Sequence, residues 1–210
     1  LVKFGFGTAL VSNKLQEKIN IYKSNDIIPY FGGTLFEIFI ARNDFDGFRS
    51  FIDKYNLTHV EVSDGSLEME HEDKLRYIET LSKQVVVLSE VGSKKADVVY
   101  TLNEWTQMIK AELQAGSWKV ITEARESGNL GIFNSDGSPN KALINGIIKE
   151  IDIEKVMWET PQKAQQAMFI KLLGTNVNLG NISVDEALSL ETLRLGFRGD
   201  TFFEFLQEKK

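Results

Sequence analysis

Residues 45–64 read FDGFRSFIDKYNLTHVEVSD, and this stretch contains both elements from which the fold is built. Its first half has apolar residues spaced by 3, 4 and 3 positions, which is the spacing of one helical face. They are Phe45, Phe48, Ile52 and Tyr55. Its second half, His59–Asp64, carries β-branched residues and ends on polar ones, as a buried strand does. The stretch therefore predicts a helix followed by a strand.

The same alternation extends along the whole chain. A second helical stripe is predicted after Thr101 and Glu104, which form a capping box, and it ends before Gly116. Its members are Leu102, Trp105, Ile109 and Leu113. The β-rich runs are Leu1–Gly7, Ile28–Gly33, His59–Asp64, Val85–Gly92, Lys119–Ala124, Val156–Thr160 and Asn176–Asn181. Strands that alternate with helices are typical of a parallel α/β fold, with helices packed outside the sheet.

Two closures fit this rhythm, an open doubly wound sheet and a (β/α)8 barrel. The chain opens on a strand, so the barrel alternative expects one βα unit before Leu1. No linker-like segment divides residues 1–210, which predicts a single domain. Ser183 with Glu186 predicts another capping box, while Pro161 and Gly174 predict the start and end of a helix.

Composition excludes several classes of function. The formal net charge is −6 and no basic block interrupts it, which argues against nucleic acid as a partner. No apolar run approaches the roughly 18 residues of a membrane helix. The chain has no cysteine, so disulfides, zinc–thiolate sites and thiol chemistry are excluded, and a reducing cytoplasm is the expected location. Two histidines, His59 and His71, are too few for a histidine-based metal cage.

Carboxylates fall at the ends of four successive β-rich runs. They are Glu61, Glu90, Glu123 and Glu159. Ligands bind at the carboxyl ends of strands in parallel α/β folds, and buried like charges need cations. A hard divalent ion with oxygen ligands meets this need, which predicts a magnesium site. The alternative is that these glutamates form ion pairs with Lys3, Lys94 and Arg125.

Other polar residues are weaker candidates. Gly32-Gly33-Thr34 is either a phosphate-binding turn or a plain strand-to-helix turn. Asn178 and Asn181 are poor strand formers, so their placement indicates a polar role in substrate binding. Arg194 and Arg198 lie four residues apart and either hold an anionic group or pair with neighbouring acids.

Several segments, in order over nearly the whole chain, resemble the phosphosulfolactate synthase family. They are residues 3–8 (KFGFGT), 31–37 (FGGTLFE), 61–65 (EVSDG), 89–92 (SEVG), 123–128 (EARESG), 158–161 (WETP), 176–182 (NVNLGNI) and 190–201 (LETLRLGFRGDT). These segments coincide with the strand ends selected above on chemical grounds.

The resemblance implies a (β/α)8 TIM barrel and a magnesium-dependent lyase that forms a homo-oligomer, with a trimer as the expected assembly. The family reaction adds sulfite to phosphoenolpyruvate and gives phosphosulfolactate; in archaeal members it opens coenzyme M biosynthesis. The family's proposed general acid corresponds to Lys94, with Lys95 as the alternative. Arg125 and Lys3 are expected to offset the charge of the two anionic reactants. Two other functions stay open: another metal-assisted addition to a phosphorylated three-carbon acid, and a non-catalytic, stress-associated relative.

Overall fold

The computed structural model describes residues 1–93, 98–124, 127–129 and 131–204, in which strands and helices alternate. The strands are β1 (Val2–Phe4), β2 (Pro29–Phe31), β3 (His59–Val62), β4 (Val86–Val91), β5 (Ser117–Thr122), β6 (Val156–Glu159) and β7 (Leu179–Gly180). The α-helices are α1 (Leu15–Ser24), α2 (Gly33–Ile40), α3 (Phe45–Lys54), α4 (His71–Ser82), α5 (Leu102–Gln114), α6 (Lys141–Glu150), α7 (Lys163–Leu173) and α8 (Ala187–Arg194). Short 3-10 helices cover Thr8–Leu10, Ile153–Lys155 and Val184–Glu186.

Strand order in the sheet is the chain order, from β1 to β7. The pairs β1–β2, β2–β3, β3–β4 and β6–β7 are parallel. Six of the seven β-rich runs contain one of these strands, and the run Lys119–Ala124 overlaps β5, which begins two residues earlier at Ser117. Helix α5 covers its predicted apolar stripe, and α3 covers the other except for Tyr55, which is the C-cap residue. Parallel strands that alternate with helices in this order form a TIM-barrel-like α/β fold, which confirms the predicted fold class.

The chain divides into two compact units, Leu1–Val120 and Ile121–Lys210. The first unit has a core rich in aromatic rings: Phe36 meets Phe48 edge-on, with 5.5 Å between ring centroids. In the second unit Trp158 stacks on Phe169 with ring centroids 4.8 Å apart. Burial of large apolar side chains is the main stabilising contribution in each unit. The single domain expected over residues 1–210 stays a prediction.

The helix ends agree with the sequence in part. The Thr101 side chain accepts from the Glu104 amide and the Glu104 carboxylate accepts from the Thr101 amide, which confirms the capping box. Gly174, with φ +93°, ends α7 as predicted.

Two predicted caps are wrong. Ser183 makes no side-chain cap, because its backbone carbonyl already accepts from the Glu186 amide at 2.9 Å in a 3-10 turn. Pro161 does not begin a helix, since Gln162 is the N-cap, its amide donating to the Gln165 side chain, and α7 begins at Lys163, two residues after Pro161. None of the described helices has the length and apolar character needed to cross a membrane.

Candidate functional site

Lys3 and Glu61 meet at the ends of strands β1 and β3 in the first unit. Lys3 Nζ lies 3.3 Å from Glu61 Oε2 and 3.5 Å from Oε1. The Gly33 amide, at the start of α2, donates to Glu61 Oε1 at 2.8 Å. Glu61 is only 2% exposed, so its negative charge is stabilised by the ammonium group and by the helix N-terminus. The structure thus brings a predicted substrate-binding residue and a predicted metal ligand together as an ion pair.

Glu37 on α2 fixes the loop that follows β3 through two hydrogen bonds. Glu37 is buried, and its carboxylate accepts from the Ser63 hydroxyl and, at 3.1 Å, from the Ser66 amide. A carboxylate that accepts two such bonds restricts the loop to one conformation. Asp64 lies between these two anchors and is therefore presented at a defined position.

Lys74 on α4 is the most deeply buried cation among the described residues of the first unit. Its Nζ lies 2.8 Å from Asp64 Oδ1, 2.8 Å from Glu112 Oε1 and 2.6 Å from the backbone oxygen of Glu90. An ammonium group has three protons, and three acceptors surround this one. Lys74 therefore joins the segment after β3, the end of β4 and helix α5.

The charges of this network reinforce each other. Burial works against the protonated form of Lys74, but Glu112 and Asp64 outweigh it and hold the pKa of Lys74 above its ordinary value. Burial also works against ionised Glu112, but Lys74 and a hydrogen bond with His71 bring the pKa of Glu112 below its usual range. Both groups are consequently charged at neutral pH, and Lys74 is poorly suited to donate a proton during a reaction.

Glu90, a predicted metal ligand, is 3% exposed at the end of β4. Its backbone oxygen accepts from Lys74. A cavity of about 760 Å³ in the same unit is lined by residues that follow β3 and β4, including Asp64, Gly92 and Tyr100. The carboxyl ends of these two strands thus border a volume large enough for a small organic molecule.

The second unit contains two further buried carboxylates, Glu123 and Glu159. Glu123 is 1% exposed and Glu159 is 3% exposed, and a carboxylate oxygen of one lies within 4.8 Å of a carboxylate oxygen of the other. Glu159 Oε2 accepts from the Ala124 amide at 3.1 Å and from the Asn181 side chain at 3.5 Å. The structure therefore brings three predicted site residues of this unit together: Glu123, Glu159 and Asn181.

Glu123 and Glu159 have the chemistry of cation ligands. Two buried carboxylates at this separation repel each other unless a cation or a proton lies close to them. Carboxylate oxygens are the ligands that magnesium prefers. The residue types, their burial and their separation therefore fit a hard divalent cation.

The remaining predicted substrate ligands lie elsewhere in the second unit. Asn178 precedes β7, and its side chain donates to the Glu154 backbone oxygen at 3.4 Å, whereas Asn181 follows β7. Arg194 donates to the backbone oxygens of Thr175 and Val177, so it links α8 to the segment before β7. Arg198 donates to the Ser189 hydroxyl. The two predicted catalytic residues, Lys94 and Arg125, lie outside the described residues.

Sequence reasoning missed Lys74 and Glu112. A signal for them exists, because Lys74 continues the buried stripe of α4 with Ile78 and Leu81 at helical spacing. Glu112 likewise continues the buried stripe of α5. Opposite charges on the buried faces of consecutive helices indicate an internal ion pair.

A parallel α/β fold with buried carboxylates and a paired lysine at its strand ends is typical of an enzyme of the TIM-barrel class. Residues 1–200 match the model of the family described as (2R)-phospho-3-sulfolactate synthase (ComA). The chain is 44% identical over 205 residues to a phosphosulfolactate synthase of Bacillus subtilis, covering 96% of this chain and 81% of the relative. It is 42% identical over 207 residues to a phosphosulfolactate synthase of Methanocaldococcus jannaschii, covering 96% and 82%. The chain belongs to the phosphosulfolactate synthase family and is an enzyme.

Proposed function

We propose that this enzyme adds sulfite to phosphoenolpyruvate, with magnesium as cofactor, and releases (2R)-phospho-3-sulfolactate. The observation that carries the proposal is the family match over residues 1–200, together with relatives that bear the name phosphosulfolactate synthase. The buried carboxylates and the Lys3–Glu61 pair give this reaction suitable side chains.

The reactants explain why cationic side chains are needed. Sulfite and phosphoenolpyruvate are both anions, and the sulfur lone pair must approach C3 against their repulsion. A carbon–sulfur bond forms while the electrons of the C2–C3 double bond move toward the substrate carboxylate. Lys3, Arg125 and Arg198 are the cations that we assign to offset this charge. For Arg194, the two bonds to backbone oxygens favour an anchoring role instead.

Magnesium is assigned to the buried carboxylates. The ligands that we propose are Glu61, Glu90, Glu123 and Glu159. The close approach of Glu123 and Glu159 supports the last two most strongly, whereas Glu61 also serves as the partner of Lys3. When bound, the ion supplies Lewis acidity that stabilises negative charge on the substrate carboxylate. Asn181, which donates to Glu159, orients this ligand.

The last chemical event is protonation of C2 from one face. We assign this proton to Lys94, with Lys95 as the alternative. Both residues lie outside the described ones, and the assignment follows from the family resemblance. The raised pKa of Lys74 and its three acceptors disfavour Lys74 for this role.

The experiment that tests the proposal incubates purified protein with magnesium, phosphoenolpyruvate and sulfite. We expect loss of the enol absorbance and a product whose mass equals the sum of the two reactants. Omission of sulfite, or replacement of sulfite by other nucleophiles, is the control. Turnover with another nucleophile and none with sulfite would instead indicate a related addition to a phosphorylated three-carbon acid.

Location and assembly complete the proposal. We propose a cytoplasmic homo-oligomer, a trimer by analogy with the family. Large apolar side chains are exposed in the second unit, and they support self-association: Val184 (69%), Leu188 (82%), Phe197 (67%) and Phe203 (81%). Light scattering coupled to size-exclusion chromatography measures the mass; a monomer at micromolar concentration would contradict this part of the proposal.

A further inference from the structure

The Lys74 ammonium group holds two segments of the first unit that carry proposed cation ligands, Glu61 on β3 and Glu90 on β4. It binds the backbone oxygen of Glu90 at 2.6 Å and Asp64 Oδ1 at 2.8 Å. Glu90 is the next-to-last residue of β4, and Asp64 follows β3 by two residues. Glu112 completes the arrangement from α5, with Oε1 2.8 Å from Lys74 Nζ. One cation thus connects two neighbouring strand ends to two helices.

Stability alone does not account for such a pair. Removing two charges from water costs several kcal/mol each, and well-packed apolar residues of similar volume often serve a fold equally well. Lys74 and Glu112 are 1% and 0% exposed, and both lie on buried helix faces whose other members are mostly apolar. What an apolar pair cannot do is donate to the Glu90 oxygen and to the Asp64 carboxylate. These two bonds distinguish Lys74 from ordinary core packing.

We propose that Lys74 is a positioning residue, which orients the Glu90 side chain for cation binding by holding the Glu90 backbone oxygen and Asp64, while Glu112 keeps its ammonium group in place. This inference rests on the proposed function, because it assigns Glu90 to the cation. Lys74 itself does not contact the ion or the substrate. Partners of metal ligands commonly contribute 10–100-fold to metal affinity or activity.

The test compares Glu112→Gln with the double variant Lys74→Met/Glu112→Gln. The glutamine keeps an oxygen for Lys74 and removes the buried negative charge. In this background Lys74→Met leaves no unpaired charge in the core, since Asp64 is a quarter exposed and can be hydrated. The two proteins therefore differ in the anchoring bonds of Lys74 and in little else.

Three quantities are measured on both variants and on the wild-type protein. They are the Kd for Mn²⁺ from the free-ion EPR signal, the kinetic constants for phosphoenolpyruvate, and the hydrogen exchange of a peptide covering residues 86–93. Mn²⁺ takes the same oxygen ligands as magnesium and is directly visible. Thermal unfolding verifies that each variant is folded.

We expect Glu112→Gln to bind Mn²⁺ within threefold of the wild-type protein. The double variant should bind Mn²⁺ at least about tenfold more weakly, lose kcat by a similar factor and keep KM for phosphoenolpyruvate within threefold. Its 86–93 peptide should exchange faster. Equal Mn²⁺ affinity in the two folded variants overturns the inference, whereas a wild-type protein that neither binds Mn²⁺ nor turns over overturns the proposed function.

Two further measurements keep the inference testable in every case. If the double variant does not fold, Lys74→Arg replaces it, because arginine keeps the charge but its planar fork cannot direct three bonds from one nitrogen. Weakened Mn²⁺ binding is then expected, and unchanged binding contradicts the inference. If no metal binds the wild-type protein, the hydrogen exchange of residues 86–93 tests the anchoring role of Lys74. Equal hydrogen exchange in the two variants shows that Lys74 does not hold the end of β4.

Discussion

The Gly33 amide donates to Glu61 Oε1 across 2.8 Å and so joins the first residue of α2 to strand β3. The amides of the first helical turn have no partner inside the helix, and the positive end of the helix dipole attracts a carboxylate. Glu61 also holds Lys3 from β1. One buried carboxylate therefore aligns three elements at the same edge of the sheet.

Substitution of Gly33 by alanine tests this close approach. An added Cβ would lie 2.1 Å from Ser63 Oγ and 3.0 Å from Glu61 Oε1, so both side chains must move. We expect a loss of about 1–3 kcal/mol in the free energy of unfolding, measured by urea denaturation. Gly5→Ala is the matched control, because nothing lies within 4 Å of its added Cβ. Equal effects of the two substitutions would contradict the packing described for Gly33.

Substitution of Lys3 by methionine tests the substrate-binding role. A hydrogen bond to a charged group contributes about 1.5–3 kcal/mol, so kcat/KM for phosphoenolpyruvate should fall by roughly 10–150-fold. Lys14→Met is the control, since Lys14 pairs with Glu17 at the exposed surface. A Lys3→Met enzyme with wild-type kinetics would show that Lys3 serves only to neutralise Glu61.

Substitution of Lys74 by methionine should be among the most destabilising single changes in the first unit. It leaves Glu112 buried without its cation, and breaking a buried ion pair costs about 3–5 kcal/mol. The double variant with Glu112→Gln should recover most of this loss. Chemical denaturation of the two proteins checks the prediction, and additive losses would show that the two charges are not coupled.

Lowering the pH should reduce the stability of the first unit, because Glu112 becomes protonated. Its folded pKa lies below the ordinary value of 4.5, so the stability that it contributes is present above about pH 4.5 and is lost as pH falls through the folded pKa. Lys74 has a raised pKa, so its contribution is complete below 10.5 and does not change in this acid range. The free energy of unfolding of Glu112→Gln should therefore fall less between pH 5 and pH 3 than that of the wild-type protein. Parallel curves would contradict this origin of acid sensitivity.

Substitution of Arg194 by methionine separates anchoring from substrate binding. The guanidinium group donates to two backbone oxygens before β7, so its loss should lower the unfolding free energy by about 1–3 kcal/mol. We expect KM for phosphoenolpyruvate to stay within twofold. A tenfold rise in KM with unchanged stability would instead indicate that Arg194 binds the substrate, as the sequence predicted.

Local patterns predicted most of the elements and some of the site. The stripe from Phe45 to Ile52 and the Thr101–Glu104 capping box depend on spacing along one helix, and both are present. The cap at Ser183 is wrong because a backbone bond satisfies the same amide. Lys74 and Glu112 were missed because each is unremarkable alone; they pair only when α4 and α5 pack beside each other.

The order of the amino acids alone determined the parallel α/β fold, the glutamates near the strand ends and the family to which the chain belongs, because these depend on short-range periodicity and on short segments that the chain shares with that family. Tertiary structure decided which charges meet. Lys3 contacts Glu61 across 58 positions, and Asn181 rather than Asn178 reaches Glu159. Such pairings depend on strand register and helix packing, and a few ångströms decide whether two charges stabilise each other.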